Sequence, residues 1–279
     1  MPPRGRPPLP HRPRAAARPP GPPVPQPASH LEEPRAKLFR VSGLSAVSAL
    51  FAHEPERVER LFFDERLKPA VGGFCKAMAA ARKPYRMVEG EELAKVAGTV
   101  LHGGVVALMA PRVLPAFDTE AAKRWSEPLL ILDGVGNPHN LGAILRTAAF
   151  FGLPRVVLSD HPGQAAPSEA AYRVAEGGFE WVELYQAANL PVLLKRLRAT
   201  HRVFGTALDP KRPSVDAGGL TGGPKPVALV MGNEEDGIPP ATLAACDTVL
   251  TIPGNGRVQS LNVAATAAIL IHGLATAGG

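Results

Sequence analysis

IPGNGRVQSLNVAATAAILIHGL, residues 252–274, decides how the rest of the chain is read. An apolar strand at 248–252 runs into it, Pro253 stops that strand, and Gly254-Asn255-Gly256 turns the chain. A helix is expected from about Ser260. It is apolar on nearly every face and rich in alanine, so burial rather than amphipathic packing is expected. Its first turn would gather the small polar side chains of Ser260 and Asn262 and several free backbone N–H groups, a combination suited to a polar or anionic ligand. Ser260 as a plain helix cap and the glycines as a plain turn explain the same letters.

Upstream, residues 128–279 alternate strands with helices. Strands are expected at 129–132, 155–159, 181–184, 202–207, 226–231 and 248–252, and helices at 140–151, 190–199 and 239–245. That alternation calls for an α/β domain with a mostly parallel sheet covered on both faces. Ligands of such sheets sit beyond the carboxyl ends of the strands. The three most polar, glycine-rich loops, at 133–140, 232–239 and 253–260, all follow strands.

Residues 37–110 form a smaller α/β unit, with helices expected at 42–51, 69–82 and 91–96 and strands at 58–63, 85–88 and 104–109. His102 reads as a tight entry into the last of these strands rather than as a ligand. Residues 111–127 are polar, contain two prolines, and read as a linker.

The formal charge of +6 is uneven. Residues 1–30 hold five arginines and no acid, leaving 26 basic against 25 acidic residues in the rest. The body is nearly neutral, so nucleic-acid affinity there must come from local patches. Thirteen prolines among residues 1–36 exclude helix and sheet and predict a disordered tail, either a basic arm for RNA or a passive extension. Cys75 and Cys246 form no metal-ligand pattern, and no metal is expected. No apolar run reaches membrane-spanning length and no signal peptide is evident, so a cytoplasmic protein with reduced thiols is expected.

The first loop, DGVGNPHNLGAILRTAAFFG, admits two readings. Gly134-x-Gly136 after a strand, with Asp160 after the next, suggests a dinucleotide fingerprint, but His139 stands at the third glycine position and Pro138 beside it. Taken with Asn140 and Arg146, with GNEEDGIP (232–239) and with IPGNGRVQSLN (252–262), the chain resembles the SpoU/TrmH family of RNA ribose 2′-O-methyltransferases, of the SPOUT superfamily. The three motifs occur in that family's order over residues 129–274, and residues 37–110 resemble its L30e-like substrate-binding domain.

The resemblance implies a C-terminal trefoil knot, a homodimer with its sites near the subunit interface, S-adenosylmethionine as cofactor and rRNA or tRNA as substrate. By correspondence, Thr206, Met231, Gly232, Ile252, Pro253 and Leu261 would contact the cofactor. Arg146 would clamp an RNA phosphate and stabilise the developing alkoxide. Asn140, Ser260 and Asn262 would orient the ribose, and Glu234 would brace its loop or the dimer contact. Arg257 is either an RNA contact or a solvated charge. Asn137 and Ala264 depart from the aspartate and serine common in the family. A non-catalytic RNA-binding or ribosome-assembly protein is the contrasting expectation.

Overall fold

A computed structural model describes residues 37–207, 214–215, 217–220, 223–233 and 235–276. The proline-arginine tail and Glu234 lie outside the described residues. In chain order, β1 (Phe39–Ser42), α1 (Leu44–His53), β2 (Val58–Phe63), α2 (Gly72–Ala80), β3 (Tyr85–Met87), α3 (Gly90–Ala97) and β4 (Val105–Met109) come first. Their four strands pair in the order β1-β4-β2-β3, antiparallel except for β2 with β3.

A short α4 (Thr119–Ala122) leads to β5 (Leu129–Asp133), α5 (Pro138–Phe150), β6 (Arg155–Leu158), α6 (Glu169–Ala175), α7 (Gly178–Trp181) and β7 (Glu183–Gln186). Then come α8 (Leu190–Leu197), β8 (Arg202–Thr206), β9 (Ser214–Val215), β10 (Val227–Gly232), α9 (Pro240–Ala245), β11 (Thr248–Leu250) and α10 (Val263–Thr276). The second sheet has the order β7-β6-β5-β10-β8-β11-β9, and every pairing in it is parallel.

The continuous apolar runs explain that sheet. Leu130, Leu132, Leu229 and Met231 face Leu141, Ile144 and Leu145 of α5 and Ala267 and Leu270 of α10. Leu129, Ile131, Ala228 and Val230 face Leu190, Leu193, Leu194 and Leu197 of α8 and Ala245 of α9. Both faces of each central strand are buried, as a parallel sheet requires. Connections from β5 run outward through β6 to β7, and those from β10 run toward the other edge. The β5/β10 boundary is therefore the point where ligand clefts form in such sheets.

Several boundaries differ from the sequence expectation. Gly43, at φ 95°, turns the chain, so a strand ends at Ser42 and the helix starts at Leu44. The strand expected at 181–184 is β7, two residues later, and Trp181 ends a helix instead. The 111–127 segment carries α4, capped by Asp118 accepting from Glu120 N at 2.8 Å, and a parallel bridge from Ala116 to Gln186. His102 is a turn residue as expected: its Nδ1 accepts from Gly104 N at 3.1 Å. Among the described residues no helix is long and apolar enough to cross a membrane.

The two sheets belong to one compact unit and share one apolar cluster, in which Val41, Ala46 and Leu50 join Tyr172, Ala175 and Phe179, with charged groups beside it. Glu54 Oε2 accepts from Arg112 Nη2 at 2.7 Å and also pairs with Arg57, while Arg57 Nη2 donates to Ala110 O at 3.0 Å. Glu180, on α7, buries its side chain completely, and neither carboxylate oxygen has a hydrogen-bond partner among the described residues. Its nearest cation, Arg112 Nη2, is 4.0 Å away. Burial pushes the Glu180 carboxyl from 4.5 up to about 7, against the pull of Arg112. The folded chain therefore keeps a proton that the unfolded chain releases between those values, and stability falls as pH rises through that window. Glu180→Gln removes the ionisation. Melting curves of this variant should run roughly 7–14 °C above the parent at pH 8, with the gap closing near pH 4.5. Parallel curves for the two proteins would reject this account.

Candidate active site

Three loops leave the carboxyl edge of the parallel sheet, after β5, β10 and β11. The first is set by its own residues. Asn137 caps α5 by accepting from His139 N at 2.8 Å, and Pro138 occupies the first helical position, where its missing N–H costs nothing. The helix thus begins at Pro138 rather than at the expected Asn140, which sits in its first turn. That cap also occupies a helix N–H that a pyrophosphate would need, which weighs against the dinucleotide reading.

Gln164 holds this loop from behind. Its Oε1 accepts from Gly134 N at 3.0 Å and Val135 N at 3.1 Å, and its Nε2 donates to Val135 O at 3.2 Å. From the second loop, Asn233 Nδ2 donates to Gly134 O at 2.9 Å, while Asn233 Oδ1 accepts from Glu235 N at 2.7 Å and Asp236 N at 3.1 Å. One amide side chain therefore shapes its own turn and ties two loops together. Neither Gln164 nor Asn233 stands out from sequence. Asn233 lies inside the GNEEDGIP motif with a turn-forming signature, but Gln164 has no local signal.

The third loop reaches the first through Asn262, whose Nδ2 donates to Asn140 Oδ1 at 3.2 Å. Asn262 Oδ1 accepts from Ala264 N at 2.8 Å, and its carbonyl accepts from Thr266 N. Asn262 is thus the cap, α10 starts at Val263, and Ser260 lies two residues before that cap in the exposed loop. α10 is also not buried all round. Val263, Ala267, Leu270, Ile271 and Leu274 are buried, while Ala265, Ile269 and His272 are exposed.

The strands bring most of the expected cofactor residues to one edge. Thr206 closes β8 opposite Leu250 of β11, and Met231 and Gly232 close β10 opposite Leu132 and Asp133. Ile252 is half-buried against the core, Pro253 is exposed, and Leu261 is 48% exposed farther along the loop. Gly232 is required where it stands, because a Cβ there would lie 2.3 Å from Gly237 C and Ile238 N. Asp133 ends β5 with its side chain buried and Oδ2 without a partner among the described residues.

Arg146 is not gathered with them. Its guanidinium pairs with Glu176 at 3.0 Å, both side chains being more than half exposed. Six residues at 3.6 per turn put it roughly 120° around α5 from Asn140. Arg257 and Gln259 are exposed in the third loop.

Residues 127–272 match the family model described as the SpoU rRNA Methylase family, and residues 40–113 match one described as RNA 2′-O ribose methyltransferase substrate binding. The chain is 36% identical to the 23S rRNA (guanosine-2′-O-)-methyltransferase RlmB of Acinetobacter baylyi, over 82% of this chain and 94% of that protein. It is 32% identical to YfiF of Escherichia coli O157:H7, described as an uncharacterized tRNA/rRNA methyltransferase, over 92% of this chain and 77% of that protein. Its fold is similar to that of the AdoMet-bound rRNA methyltransferase of Sinorhizobium meliloti, with a TM-score of 0.71 and 24% identity, covering 85% of this chain and 87% of that one. Both the order of the three loops and these matches lead to one statement: the chain belongs to the SpoU rRNA methylase family.

Proposed function

We propose that this protein is an S-adenosylmethionine-dependent RNA methyltransferase that acts on a ribose 2′-hydroxyl of rRNA or tRNA, in the cytoplasm and as a homodimer. The observation that carries the reading is the stitching of three loops at one sheet edge by Asn233 to Gly134 and Asn262 to Asn140, in a chain of this family.

The edge fits the cofactor. The close backbone approach at Gly232 leaves no room for a side chain, and buried Asp133 Oδ2 lacks a partner among the described residues. Thr206, Met231, Gly232, Ile252, Pro253 and Leu261 would hold the group, largely through backbone. When bound, S-adenosylmethionine supplies an electrophilic methyl group. The chain's own residues then have to orient and stabilise. Asn140, Asn262 and Ser260 orient the ribose hydroxyl, and Glu234, outside the described residues, is assigned to bracing the second loop or the dimer contact. Arg146 stays protonated, so it acts by clamping phosphate and stabilising the developing alkoxide rather than by taking the proton.

Dimerisation is supported by an exposed apolar strip along α5 and α10. Phe150 is 82% exposed and Ile269 43% exposed, with Ala265 and His272 beside Ile269 along α10. Arg146 lies on this outward side of α5, so it serves a ribose held by the neighbouring copy. A trefoil knot is supported by α10, which packs against both α5 and the turn Ala217–Leu220. An L30e-like role in RNA binding for residues 37–110, joined by 111–127 to the catalytic domain at 128–279, is supported by the four-stranded sheet and the match at 40–113.

Calorimetric titration of the purified protein with S-adenosylmethionine, with NADH as control, tests the reading. One site per chain for the methyl donor and no heat with NADH is expected. Binding of NADH alone would reinstate the dinucleotide reading.

A further inference from the structure

Trp181 is 62% exposed, although the three residues before it in α7 (Gly178, Phe179 and Glu180) are all buried. The helix is wedged in place. A Cβ on Gly178 would lie 2.8 Å from Leu145 O and 2.9 Å from Arg146 N, and one on Gly177 would lie 2.9 Å from Ala49 Cβ of α1. The indole is therefore held outward by a rigid support, next to the turn of α5 that carries Arg146. His53, the last residue of α1, braces it with ring centroids 4.2 Å apart and planes at 68°.

An open cleft of about 370 Å³ begins one residue beyond His53 and two beyond Trp181 in the chain. Glu54, Arg57, Arg112 and Tyr185 are among the residues that line it, and the two arginines are largely covered. The solvent-reaching carboxylates around the platform are engaged, Glu54 by Arg57 and Arg112, Glu176 by Arg146, and Glu183 by Arg155, while Glu180 is fully buried. An exposed indole beside a cleft lined by two arginines, with its solvent-reaching carboxylates paired, has the chemistry of a single-stranded nucleotide subsite.

From this arrangement we infer that Trp181 and His53 stack an unpaired RNA base, whose backbone runs along the cleft toward Arg146. The inference rests on the methyltransferase reading and adds a specificity subsite to it. Such a platform favours a target held in a loop or bulge over one in a regular helix, because paired bases have no free face to offer.

The chain has two tryptophans. Trp125 is half-buried, with Arg155 4.3 Å over its ring and Phe117 and Tyr185 alongside. Trp125→Phe therefore leaves Trp181 as the sole emitter. Titration with a single-stranded 12-nucleotide oligoadenylate at low salt should quench its fluorescence and shield it from acrylamide. The same length of RNA presented as a blunt-ended duplex should do neither. Trp181→Ala should weaken oligoadenylate binding about tenfold, followed by anisotropy of an end-labelled probe, and Trp181→Phe should recover part of the loss. If the Trp125→Phe protein folds poorly, the anisotropy comparison of Trp181→Ala with the parent in the native background gives the same answer.

An anisotropy rise with Trp181 emission and acrylamide access unchanged would overturn the inference. So would shielding of Trp181 by protein concentration alone, which would make the patch a protein contact. Calorimetry with S-adenosylmethionine on the same samples separates the two levels: intact cofactor binding with a silent Trp181 removes the platform and leaves the enzyme.

Discussion

Arg146→Ala is expected to lower methyl transfer to RNA by about 10²–10³-fold, the usual cost of deleting one group aimed at developing charge. S-adenosylmethionine binding should be unchanged, because Arg146 lies off the strand edge where the cofactor residues gather. The fold should also be unaffected. The Arg146–Glu176 pair is exposed on both sides, and such pairs add little to stability. Arg146→Lys keeps the charge but loses the two-pronged geometry, so it should recover only part of the rate. Single-turnover kinetics with saturating cofactor measure the effect directly. Full turnover by a well-folded Arg146→Ala protein would remove Arg146 from the mechanism.

Gly232→Ala is expected to fail differently, in cofactor binding and stability together. The added Cβ would meet the backbone at Gly237 and Ile238 at 2.3 Å, and backbone cannot rotate aside as a side chain can. β10 is fixed between β5 and β8, with Gly232 opposite Asp133, so the strand cannot retreat either. The turn that Asn233 organises has to move, and its tie to Gly134 loosens with it. Overpacking of this kind costs about 1–3 kcal/mol, or several degrees of melting temperature. S-adenosylmethionine affinity should drop at least about tenfold on the same grounds. Unchanged calorimetry would mean that the second loop does not shape the cofactor site.

Much of the parallel sheet is legible from letters. Runs such as Leu129-Leu130-Ile131-Leu132 and Val227-Ala228-Leu229-Val230-Met231 have no polar face, which suits strands buried on both sides. The edge where Thr206, Gly232 and Ile252 gather follows, since each ends or trails such a run. The helices α6 and α7 are harder to see. Gly177-Gly178 breaks the apolar period between them, and Trp181 has strand propensity although its helix is set by packing on α5 and α1. The start of α10 is ambiguous because Ser260 and Asn262 are both good caps. Only the bond from Ala264 N to Asn262 decides between them. By contrast, the start of α5 is written in Asn137-Pro138, a cap followed by a favoured first residue. The direction of Arg146 cannot be read from a motif, because its partner Glu176 is thirty residues away in a stretch with no strong pattern.

The most direct test of the central claim is to incubate the protein with radiolabelled methyl-S-adenosylmethionine and unmodified rRNA and tRNA, digest the RNA to nucleosides, and identify the labelled product. A 2′-O-methylnucleoside is predicted, formed about 10²–10³-fold more slowly when the Arg146→Ala protein is used. Label on a base, or no label in RNA from a protein that binds the cofactor, would contradict it.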